Sequence, residues 1–165
     1  MSVPTVTTPE ASSHVPSAAC CADGLSYIVP VGRALFSVIF IMASFGHFSQ
    51  QTISYAAAQG VPMPDVLVPL SGVISFVGGL SVLLGYHARL GAWLLVLFLV
   101  PVTIQMHNFW AETDATKAQM QQIMFMKNVA MLGGALLIAY FGAGPLSLDA
   151  WRQGRSGHGG ETVSA

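Results

Sequence analysis

Charge is what this chain has least of. Only 8% of its residues are charged, against about 25% in soluble domains, whose wet surface depends on charge. Basic clusters are missing as well, and a net charge of −1 offers nucleic acid nothing to grip. Cysteine is confined to Cys20 and Cys21. Neighbouring thiols bond to each other only through a strained ring, so no structural disulfide within the chain is expected. The eight methionines show no tight ligand spacing, so they read as gap-fillers and no metal site is expected.

What the chain has in excess is apolar length. Hydrophobic residues make up 53% of it, concentrated in four stretches at 28–48, 66–86, 88–108 and 122–142. A helix of such a stretch runs about 31 Å, the thickness of a bilayer's hydrocarbon core. So much apolar surface has no place in one aqueous core of this size. The expected fold is all-α: an antiparallel, integral membrane four-helix bundle over residues 27–149. Residues 1–26 hold no Lys or Arg and are rich in Ser, Thr, Pro and Ala, which predicts a disordered tail. They lack the basic-then-apolar start of a secretory signal. Residues 150–165 read as a flexible tail. Ser17-Ala18-Ala19-Cys20 is like a lipoprotein cleavage site without its apolar segment, and two thiols without a role is the favoured reading.

Basic residues set the expected orientation. Arg33, Arg89, Arg152 and Arg155 fall at one end of four spans, and Asp65, Glu112, Asp114 and Lys117 at the other. The positive-inside rule then places both termini in the cytoplasm and the links 49–64 and 109–121 outside. Pro30 suits a first helical turn, and Asp65 is expected to cap the second helix. Thr116 with Gln119 resembles a capping box for the fourth, which Gly142 and Gly144-Pro145 stop.

Polar groups at membrane depth are costly and face the bundle interior, so they mark candidate sites. In the first span Arg33, Ser37, Phe40, Ser44 and His47 form one stripe at helical spacing. Ser71, Ser75, Gly78 and Gly85 give the second span a small-residue face. His47, Gln105, His107, Asn108, Lys127 and Asn128 converge on the outer end, the strongest functional signal in the chain. Pro101 bends the third span toward that cluster, or simply kinks its packing. Lys127 also suits a snorkelling role, and Trp110 an interfacial belt. Arg33 and Asp149 are expected to form a structural ion pair between the first helix and the turn after the last.

The order and spacing of several motifs resemble the DoxX family of small four-helix membrane proteins, over residues 31–149. They are Gly32-Arg33, Gly60-Val61-Pro62-Met63-Pro64, Gly78-Gly79, Leu84-Gly85, Met106-His107-Asn108-Phe109-Trp110 and Lys127-Asn128. The run Gly142-Ala143-Gly144-Pro145-Leu146-Ser147-Leu148-Asp149 is the most distinctive. The resemblance implies a redox link, since some relatives are subunits of membrane oxidoreductases that pass electrons from sulfur compounds to quinone. Two positions depart from the family pattern: His47 stands where many relatives carry Lys, and Ser75 where many carry Glu.

The leading expectation is therefore an inner-membrane protein that interacts with quinone or is an accessory subunit of a membrane oxidoreductase complex. Its partners in this reading are the lipid bilayer and a soluble or membrane oxidoreductase, with a homo-oligomer also compatible. The sequence demands no cofactor. Quinone is the candidate, because His47 and His107 can hydrogen-bond its oxygens or relay a proton. Haem ligation by the same pair is the weaker reading, because other polar groups crowd that level. A membrane scaffold or small-molecule transporter is the alternative, although no Asp or Glu lies deep in any span to couple ions.

Overall fold

The computed structural model describes residues 26–157, and every regular element among them is helical. The helices are α1 (Ile28–Gly46), a short α2 (Gln50–Ala58), α3 (Pro64–Leu84), α4 (Ala88–Met106) and α5 (Ala115–Phe141). A single 3₁₀ turn (Phe109–Ala111) precedes α5, and α6 (Leu148–Gly157) follows it. α1, α3, α4 and α5 are each long and apolar enough to cross a bilayer. The antiparallel four-helix reading holds. The expectations for residues 1–25, Cys20 and Cys21 included, lie outside the described residues.

Helix boundaries follow local chemistry, not always as the sequence suggested. Asp65 does not cap α3: the helix begins one residue earlier, at Pro64, whose fixed φ already suits a first turn. Met63, at the cap position, turns left-handed with φ 45°. The expected capping box at Thr116 is displaced by Asp114, whose carboxylate accepts the Lys117 N–H at 2.9 Å. An ionised carboxylate facing the helix's positive end is the better cap. Gly142, at φ 83°, ends α5 as expected. Beyond it, where a flexible tail was anticipated, α6 runs from Leu148 to Gly157. Ser147 caps that helix, its Oγ accepting the Ala150 N–H at 3.1 Å.

α1 packs along α3, α3 along α4, and α4 along α5. Gly78 and Gly91 let α3 and α4 close up: a Cβ at Gly78 would meet the Gly91 carbonyl at 3.0 Å. Phe40, Val82, Leu95, Phe98 and Leu99 fill the space between. The buried residues of α1 are Arg33, Ser37, Phe40 and Ser44, four of the five in the stripe expected from spacing; the fifth, His47, follows the helix and is half-buried. Leu35, Met42, Leu97 and Leu137 point outward and are exposed. Helices apolar on their outer faces as well as their inner ones belong in lipid, so this is a multi-pass membrane protein.

The two ends of the bundle differ. At one, here the arginine end, lie the starts of α1 and α4, the ends of α3 and α5, and α6. Arg33 is only 5% exposed. Its Nη1 donates to the Ala143 carbonyl at 2.7 Å and its Nη2 to Leu146 at 2.8 Å. Asp149 instead accepts the His87 and Ala88 N–H groups at 2.9 and 3.2 Å. The expected Arg33–Asp149 pair therefore takes another form. Both groups tie the 142–149 turn to the rest of the bundle, each through backbone rather than through the other. Turn carbonyls and helix-start amides lack helical partners, and the two charges satisfy them.

Candidate functional site

At the opposite end, here the loop end, α2 and the links surround a cavity of about 730 Å³. That volume suits a small organic ligand. Phe40 and Ala43 of α1, with His47 at its C-terminal cap, form one wall, and Tyr55 and Ala56 of α2 another. α3 adds Val68, Ser71 and Ile74, α4 adds Phe98, Pro101 and Gln105, and His107 follows. Lys127, Asn128 and Met131 of α5 complete it. Five of the six predicted site residues thus line one cavity. Asn108 does not: it precedes the 3₁₀ turn, where its carbonyl accepts the Ala111 N–H at 2.9 Å.

The five divide by what their polar atoms already do. Gln105 donates through Nε2 to the Gln59 carbonyl at 2.8 Å, holding the end of α2 to α4. His107 Nδ1 lies 2.8 Å from Gln121 Oε1, and Gln121 Nε2 donates to the Tyr55 hydroxyl at 2.8 Å. Since the amide oxygen only accepts, His107 donates. These bonds fasten α2 across the mouth of the bundle. Lys127 is exposed, its ammonium 3.3 Å from Met124 Sδ.

His47 and Asn128 are different. The His47 ring stands edge-on to Phe98 at 5.6 Å between centroids, and its Nδ1 lies 3.0 Å from the Ala43 carbonyl. A carbonyl only accepts, so Nδ1 carries the proton and Nε2 of the neutral ring is left as an acceptor. Gly72 is what lets this residue sit so close to α3: a Cβ there would lie 2.7 Å from the His47 Cβ. Asn128 is 5% exposed, and its amide bonds to no described protein group. An amide that the fold has not used, in a cavity wall, has its donors and acceptor free for a ligand. Among the described residues, Arg33 Nε and Ser37 Oγ are the side-chain atoms fully buried without partners, and neither residue lines this cavity.

Sequence reasoning missed α2, and with it Tyr55 and Gln121. The available signal was Ser49, whose side chain accepts the Thr52 N–H at 3.3 Å, ahead of the helix-favouring run Ala56-Ala57-Ala58. Trp110 packs with Phe109 and Phe125 at 5.2 and 5.9 Å and is exposed, consistent with an interfacial belt rather than a ligand wall.

The DoxX family model matches residues 28–108. The inner membrane protein YqjF of Escherichia coli is 34% identical over 123 residues, 73% of this chain and 88% of that protein. The inner membrane protein YphA of the same organism is 31% identical over 122 residues, 72% of this chain and 86% of that one. A shorter match, 31% over 77 residues, is to the ER-derived vesicles protein ERV29 of Saccharomyces cerevisiae. It covers 47% of this chain and 24% of that protein. No solved structure matches the chain.

Proposed function

Because this chain belongs to the DoxX family of membrane proteins, we propose that its loop-end cavity holds the head group of a quinone in a redox-linked inner-membrane assembly. The observation that carries this reading is Asn128, a residue only 5% exposed whose amide lines the cavity and has no partner among the described residues. Asn128 supplies N–H donors for a quinone carbonyl. His47 Nε2 supplies an acceptor for a quinol hydroxyl. Phe40, Phe98 and Ile74 give the ring apolar walls. One site can thus bind both redox forms, with electrons supplied by a partner oxidoreductase, as the family resemblance implies. In this reading the arginine end faces the cytoplasm and the cavity opens on the other side.

The test is a titration of a short-tailed ubiquinone, oxidised and reduced, into the protein in nanodiscs, followed by tryptophan quenching. Loss of one neutral hydrogen bond weakens binding by up to about tenfold. Asn128→Leu should weaken both forms, whereas His47→Leu should weaken the quinol more than the quinone. Equal saturable binding by wild type and both variants would remove the site and leave the scaffold reading.

A further inference from the structure

We propose that the arginine end carries a second site, for the phosphate of an acidic phospholipid head group. A cavity of about 850 Å³ with both charged and apolar walls lies there, distant from the loop-end cavity and sharing no residue with it. The α3–α4 link, the first turn of α4, the turn after α5 and α6 all contribute to its wall. Its cations are Arg89 and Arg152. Arg89 is exposed and hydrogen-bonds to no described protein group. Gly142 makes room for it: a Cβ there would stand 3.2 Å from Arg89 Nε. Arg152 lies over the Tyr86 ring at 5.4 Å, with Nη1 3.4 Å from His87 Nε2.

One carboxylate, Asp149, shares this wall. Its oxygens are turned to the His87 and Ala88 N–H groups. Asp149 is thus occupied, and the guanidinium of Arg89 is left to an outside anion.

The surroundings favour a lipid over a free ion. Leu90 and Phe141 line the same cavity and are more than half exposed, so apolar surface continues from the polar wall toward the hydrocarbon. α6 presents Leu148 and Trp151 outward, with the Arg155 guanidinium 4.5 Å above the Trp151 ring. A short helix with exposed apolar residues and arginines lies in the head-group layer. Basic pockets between spanning helices at that level bind acidic head groups.

The experiment compares nanodiscs of phosphatidylcholine with and without phosphatidylglycerol, reading retained lipid by native mass spectrometry. Wild type should retain phosphatidylglycerol preferentially. Arg89→Gln, whose side chain makes no internal hydrogen bond, should keep the fold and lower that preference about fivefold. Adding Arg152→Gln should lower it roughly twentyfold in all. Arg155→Gln, outside the cavity, should stay near wild type. No preference in wild type, or an equal loss with Arg155→Gln, would overturn the site as mere surface attraction. If inorganic phosphate in phosphatidylcholine discs stabilises wild type but not Arg89→Gln, the lipid assignment falls to a free anion.

Discussion

The two ends of the bundle use their polar groups to opposite effect. At the arginine end, Arg33 and Asp149 spend their hydrogen bonds on backbone that has no helical partner. At the loop end, Gln105 and His107 do similar work for α2, but His47 Nε2 and the Asn128 amide remain unspent in a cavity wall. A polar residue inside a membrane bundle is thus not functional by depth alone. What separates a fastener from a binding group is whether the fold has already used its donors and acceptors.

The sharpest way to break this contrast is at Arg33. Arg33→Leu strands the Ala143 and Leu146 carbonyls, two acceptors at the end of the bundle, so it should cost about 3 kcal/mol in unfolding from micelles. Quinone affinity in the folded fraction should be unchanged. A drop in affinity as large as that of the cavity variants would mean that the ends are not separate.

Asp149→Ala should act in the same direction but less. It removes the acceptor of two amides at the start of α4, as a lost helix cap does, and should cost about 1–2 kcal/mol in the same assay. Tyr55→Phe is the smallest change. It deletes the hydroxyl that accepts from Gln121, worth about 0.6 kcal/mol between membrane helices. Its signature should be kinetic, with faster ligand exchange in stopped-flow quenching as α2 loosens. Unaltered exchange would mean that α2 does not cover the cavity.

How much of this was legible before the fold was known depended on the length of the signal. The long spans announce themselves, because twenty apolar residues have few other solvents. The α1 stripe was legible too, since helical spacing alone puts Arg33, Ser37, Phe40 and Ser44 on one face. The convergence of His47, Gln105, His107, Lys127 and Asn128 followed from four antiparallel spans. α2 was not legible, because nine residues carry too little periodicity and a helix so short depends on tertiary bonds such as Tyr55–Gln121. Nor was the fate of Arg33 and Asp149. A sequence displays charges, and opposite charges suggest a pair, but the unsatisfied carbonyls and amides that claimed them belong to turns only the fold defines.

Asn128→Leu is the most direct trial, with unfolding midpoint and quinone affinity measured on one preparation. An unpartnered amide exchanged for a similar apolar side chain should leave the midpoint unchanged or raised, while affinity falls about tenfold. A lowered midpoint with affinity intact would show Asn128 to be a fastener like Arg33, and would contradict the account.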